Sequence, residues 1–135
     1  MAARRLTAAL ALFALAALVG GCGGSPRDLG TVQPRTADPD FSGPWLLVEI
    51  EGIVPAAAPQ KARLVEVDPD GRMMTVFFTG GSPACEAVAG VDVVRRDPEP
   101  PDIKVRYGMR LGVLGCTAAL ASLAIRVPLD PPFAP

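Results

Sequence analysis

The chain has 135 residues, with 13 basic against 14 acidic and no histidine. That balance argues against nucleic-acid binding, for which a basic domain or stripe is expected. The missing histidine removes Ser-His and Cys-His dyads and most zinc chemistry, so acid or base work would fall to carboxylates.

The first predicted element is an export segment. Arg4-Arg5 precedes an apolar run from Leu6 to Val19 that only Thr7 interrupts, and Gly20-Gly21-Cys22 follows. A positive start, an apolar core of roughly 7–15 residues and a small-residue exit describe a secretory signal peptide. A permanent helical span needs about 20 apolar residues, and this run is shorter. Its apolar residues go all the way round, which a buried amphipathic helix would not show.

Leu18-Val19-Gly20-Gly21-Cys22 resembles the lipobox of bacterial lipoproteins: an aliphatic residue, two small residues, then the cysteine. The resemblance implies a diacylglyceryl group with palmitate-type chains on the Cys22 thiol. It also implies cleavage between Gly21 and Cys22. Each buried CH₂ contributes about 0.8 kcal/mol and one chain holds only marginally, so two acyl chains give a stable anchor. The expected location is the outer, extracytoplasmic face of the cell membrane. Cleavage leaves 114 residues, enough for one domain. Without Arg4 and Arg5, eleven basic residues face fourteen acidic ones, a balance near −3.

Three cysteines are present. Giving Cys22 to lipid leaves Cys85 and Cys116, an even pair in a compartment where disulfides persist. A redox pair would need C-x-x-C and a zinc site four clustered ligands. A structural disulfide is therefore expected. Closing a loop of about 30 residues contributes roughly 3–4 kcal/mol in the chain-entropy model.

Residues 22–44 are rich in Gly, Pro, Ser, Thr and Asp and show no period. They are expected to be a flexible linker spanning about 25 Å, lifting the domain off the membrane. A β-domain is expected over 45–130. In residues 45–51, Leu46, Val48 and Ile50 alternate with Leu47, Glu49 and Glu51, the period of a half-buried strand. Residues 52–60 contain Pro55 and Pro59 and are expected to be a loop.

Residues 62–67 and 72–79 flank Asp68-Pro69-Asp70-Gly71, a hairpin signal. Met74, Val76 and Phe78 share one face. Phe77 takes the other, so one of the two phenylalanines either is exposed, which would mark a partner surface, or is covered by the linker or the C-terminal tail. Strands are expected over 88–95 and 102–107, with a loop at 96–101 between them and another at 108–115. Residues 116–123 fit a short helix or the start of a strand, and 124–129 a last strand. Residues 131–135 are a proline-rich tail. The expected fold is all-β and mainly antiparallel: a small β-sandwich or open barrel of about six strands.

One further resemblance joins these elements. Phe78-Thr79-Gly80-Gly81, Cys85, residues 88–93, a hairpin, Cys116, and Ile125-Arg126-Val127-Pro128-Leu129-Asp130 together resemble small secreted lipoproteins of high-GC actinobacteria. Eleven Arg against two Lys fits such a source. Such proteins are mostly of unassigned function, so the resemblance implies no activity and no site residues.

The remaining constellations are weak. Glu49 and Glu51, about 7 Å apart on one strand face, resemble a glycosidase-like carboxylate pair. Two solvated glutamates are the plainer expectation. Asp68-Pro69-Asp70-Gly71 opens like a calcium loop, but positions five and twelve are Arg72 and Thr79, which are not ligands. The glycine pairs make neither a phosphate loop nor a dinucleotide fingerprint. Arg95, Arg96, Arg106 and Arg110 are candidates for a basic patch against anionic head groups or cell-wall polymer. No cofactor, metal or nucleic acid is expected. The sequence points to a non-enzymatic, lipid-anchored envelope protein acting as a binding or structural module for an envelope protein or polymer. The alternative is an enzyme accessory or carboxylate-based hydrolase built on Glu49 and Glu51.

Overall fold

The computed structural model describes residues 28–96, 99–113, 115–116 and 119–133. Among them run eight strands: β1 (Thr31–Val32), β2 (Trp45–Val48), β3 (Ala58–Lys61), β4 (Leu64–Val67), β5 (Met73–Gly80), β6 (Glu86–Arg96), β7 (Glu99–Met109) and β8 (Ala121–Pro128). They form a five-stranded sheet in the order β1-β2-β8-β5-β4 and a three-stranded sheet in the order β3-β7-β6. All ladders are antiparallel except β2 with β8. The fold is the all-β sandwich that the alternating strands predict.

The strand β5 shows how the sequence builds the core. Met74, Val76 and Phe78 point inward and are fully buried. They meet Leu123 and Ile125 of β8 and, from the other sheet, Val88, Ile103, Val105 and Tyr107. The Phe78 and Tyr107 rings lie edge to face at 5.3 Å and join the two sheets. Among the described residues no closed barrel forms. Short crossings join the sheets at both edges: β3 runs almost directly into β4, and Ile50 leaves β2 to bridge Val88 of β6.

The expected hairpins hold. Gly71 donates its N–H to the Asp68 carbonyl and has φ +71°, the left-handed conformation glycine accepts without a steric cost. The ladder of β6 with β7 pairs Val91 with Val105 and Val93 with Ile103. The loop expected at 96–101 is shorter, because β6 runs to Arg96 and β7 starts at Glu99. Pro100 and Pro101 are accommodated at a register shift, where the ladder does not need their missing donors. Residues 58–60, expected as loop, belong to β3. Pro59 is tolerated there because β3 is an edge strand. No described residue between Cys116 and Leu120 is helical, and β8 begins at Ala121.

One expectation requires correction. The stretch 22–44 is not a free linker throughout. From residue 31 it lies on the domain as a strap: β1 pairs with β2, and Pro39–Phe41 forms a 3-10 turn. The turn has a local cause. Asp38 accepts the Asp40 N–H at 2.9 Å, and Pro39 starts the turn with its φ preset. Arg35 fastens the strap to β4, donating Nε to Glu66 at 2.8 Å and its guanidinium to the Val67 carbonyl at 2.9 Å.

Of the two outcomes open for the phenylalanines, the strap brings about the covered one. Phe77 and Phe78 are both buried, at 1 % and 0 % exposure. Phe77 faces away from the main core into a second cluster with Trp45 and Ala124, covered by Val32, Phe41, Leu47 and Leu64. Trp45 stacks on Phe41 and meets Phe77 edge-on, and its indole N–H donates to the Phe41 carbonyl. Arg63 lies over the Phe41 and Trp45 rings.

The C-terminal tail is also docked. The Phe133 N–H donates to the Gly71 carbonyl at 2.8 Å, and Arg95 donates to the Pro131 carbonyl and covers the Phe133 ring.

Candidate binding cleft

Where β2 leaves its sheet, the two sheets separate and leave a cleft of about 260 Å³. Leu46 and Val48 of β2 and Ala87 and Val88 of β6 give it an apolar wall. Around them stand Asp28, Glu49, Glu51, Glu86, Tyr107 and Arg110. The Glu51 N–H donates to the Val88 carbonyl at 2.8 Å, which fixes the crossing segment over one end.

Several polar groups of the cleft are committed to structure. Both ends of the Gly81 peptide are held: its N–H donates to Glu86 Oε2 at 2.6 Å, and its carbonyl accepts from the Tyr107 hydroxyl at 2.8 Å. A side chain at position 81 would run into the Glu86 carboxylate. Burial pushes the Tyr107 phenol well above the ordinary tyrosine range. The Glu86 charge adds to that, and Arg110 opposes it. Tyr107 is therefore a fixed, neutral hydrogen-bond donor. The Arg110 guanidinium is paired with the Glu51 carboxylate.

The sequence-predicted residues end up apart in role. Glu49 and Glu51 do line one cleft, but β2 stops at Val48, so they are not neighbours on a strand face. Glu49 is exposed, while Glu51 is held by Arg110. Three of the four arginines are each engaged with a partner of their own. Arg106 pairs with Asp92 at 3.2 Å, Arg110 with Glu51, and Arg95 binds the C-terminal tail. Asp68 and Asp70 belong to their turn, and Arg126 reaches Asp68 at 3.5 Å. Among the described residues no group of three potential ligands is placed to hold a metal ion, and no helix is long and apolar enough to cross a membrane.

Cys85 and Cys116 are joined in a disulfide, with Cα atoms 5.9 Å apart. It ties the start of β6 to the segment before β8. Gly21 and Cys22 lie outside the described residues. Sequence reasoning missed Glu86 and Tyr107 as cleft residues. The available signal was Gly80-Gly81 beside Cys85: a glycine pair that ends a strand also lets side chains approach its backbone closely.

Compared with protein-family models, curated proteins and solved structures, the chain matches none.

Proposed function

We propose that this chain is a lipid-anchored lipoprotein of the outer face of the cell membrane, in the manner of small actinobacterial lipoproteins. Its disulfide-stapled sandwich is a non-enzymatic binding module, and the edge cleft is its binding surface for an envelope protein or polymer. The observation that carries this reading is the Cys85–Cys116 bridge. It accounts for two of three cysteines and leaves Cys22, at the end of the lipobox, as the third. The cleft supports binding over catalysis, since Glu86, Tyr107 and Glu51 each already hold a structural partner. The hydrolase alternative would have to work from Glu49, an exposed carboxylate, with Glu51 already engaged by Arg110.

Metabolic labelling with a fatty-acid analogue in an actinobacterial host tests the anchor. Wild type is expected to take up label and Cys22→Ser to take up none. Equal labelling of the two would sink the reading.

A further inference from the structure

The strap changes how far the domain stands from its anchor. Only five residues lie between Cys22 and Asp28, six positions apart, and at Asp28 the described chain begins beside the cleft. Fully extended, six residues reach about 20 Å. The domain is therefore held close against the bilayer, and the surface around Asp28 must face it.

That surface carries exposed apolar side chains. Leu29 (42 % exposed) follows Asp28, and Ile50 (49 %) lies between the cleft residues Glu49 and Glu51. Leu29 and Ile50 also line one shallow groove together with Arg126. Ile53 (84 %) donates its N–H to the Glu51 carbonyl, and Leu111 (79 %) follows Arg110, which is paired with Glu51. Two of these side chains thus share a groove beside the point where the chain leaves for Cys22, and the other two lie on segments bonded to Glu51 of the cleft. Contiguous exposed apolar groups at one place mark a contact surface.

We infer that Leu29, Ile50, Ile53 and Leu111 form a seat that dips into the lipid bilayer beside the acylated Cys22. The seat rests on the lipid anchor proposed above. Apolar side chains at the head-group boundary add to the hold of an acyl anchor. They also fix the domain's orientation, so that the cleft edge faces the membrane. Val94 lies six residues beyond Val88 along β6, about 20 Å from the Ile50 bridge, and is placed away from the bilayer.

The test uses the full chain, processed in its host and reconstituted in phosphatidylcholine–phosphatidylglycerol nanodiscs that contain nitroxide-acyl lipid. With Cys85 and Cys116 bridged and Cys22 acylated, Ile53→Cys or Val94→Cys supplies the single free thiol for a fluorophore. Both side chains are exposed, so neither substitution disturbs the core. If the Ile53 position enters the interface, its quenching is expected to exceed that at Val94 by about threefold or more. Equal quenching, or stronger quenching at Val94, overturns the seat. Absence of quenching at both positions with Cys22 shown acylated by intact mass overturns the seat and leaves the anchor standing. An intact mass without acyl chains overturns both.

Discussion

Removing the disulfide should cost stability mainly through the unfolded chain. The perturbation is the double substitution Cys85→Ala with Cys116→Ala. The two residues are 31 apart. Freeing a loop of that length returns entropy to the unfolded ensemble that lowers stability by roughly 3–4 kcal/mol in the chain-entropy model. The native start of β6 keeps other supports: Cys85 donates its N–H to the Ser82 carbonyl and accepts from the Arg110 N–H, both at 2.9 Å. The folded sandwich should therefore survive. Domains of this size are stable by about 5–15 kcal/mol, so the double variant stays folded in water but with a reduced margin. Trp45 is the sole tryptophan and is 2 % exposed, so its fluorescence reports unfolding directly. With a urea slope of about 2 kcal/mol/M, the midpoint should fall by roughly 1.5–2 M. Cys22 is kept in the same state in both proteins. A loss below about 1 kcal/mol would show that the bridge constrains little. A variant whose Trp45 is already in water without urea would show that the bridge holds the native state itself, which also refutes the reasoning.

Phe78→Ala empties the contact between the sheets and should cost about 3–5 kcal/mol, read by the same urea titration, whereas Val94→Ala on the surface should change little. Tyr107, the only tyrosine, has a folded pKa raised above its unfolded value of about 10. The protonated phenol therefore stabilises the fold fully below about pH 10, and the contribution is lost as pH rises beyond it. Phenolate absorbance should appear only together with alkaline unfolding, and Tyr107→Phe should flatten that alkaline fall in stability; a phenol that titrates near 10 in the folded protein would contradict the burial. Gly71→Ala and Gly112→Ala impose the same left-handed strain, about 1–2 kcal/mol, at φ +71° and +76°. Only at Gly71 does the added methyl meet the Phe133 carbonyl, while Gly112 faces open space. Gly71→Ala should therefore cost more in the urea titration and speed amide exchange at Phe133, which Gly112→Ala should leave unchanged.

What the sequence made legible was whatever repeats over a few residues. The period of two in β5 marked Met74, Val76 and Phe78 as the inward face, and they form the main core. The Asp68–Gly71 turn and the cysteine parity were equally local signals. The strap escaped because its burial is not periodic. Val32 and Phe41 are single apolar residues in a polar run, and only the outward face of β5 gives them something to cover. The same contact decides which of its two open outcomes Phe77 takes. Alternation places a side chain on one of two faces and does not say whether both are covered. The strand β3 escaped for a different reason: proline usually argues against a strand, and only the edge position of β3 removes that objection. The cleft was half visible. Glu49 and Glu51 were singled out, but the partner that fixes Glu51 is Arg110, 59 residues away.

The strap and the tail together change the mechanical character of the domain. Arg35 binds the strap to Glu66 and Val67 of β4, and the tail binds Gly71 in the turn that follows. The strap at Arg35 and the tail at Phe133 are thus both fixed to the hairpin of β4 with β5, which also supplies Phe77 and Phe78. A pull on the chain N-terminal to the strap meets the pairing of β1 with β2 first, and reaches Arg35 only once that pairing opens. Weakening the strap at Arg35 should consequently change neither tether length nor folding. Arg35→Ala removes surface contacts, and exposed ion pairs are worth about 0–1 kcal/mol, so its urea midpoint should barely move. Because β1 lies between Cys22 and Arg35 and keeps its partner, quenching at Ile53 in nanodiscs should stay at the wild-type level in Arg35→Ala. A clear fall in that quenching would show that the Arg35 contacts, and not the β1 pairing, hold the start of the strap.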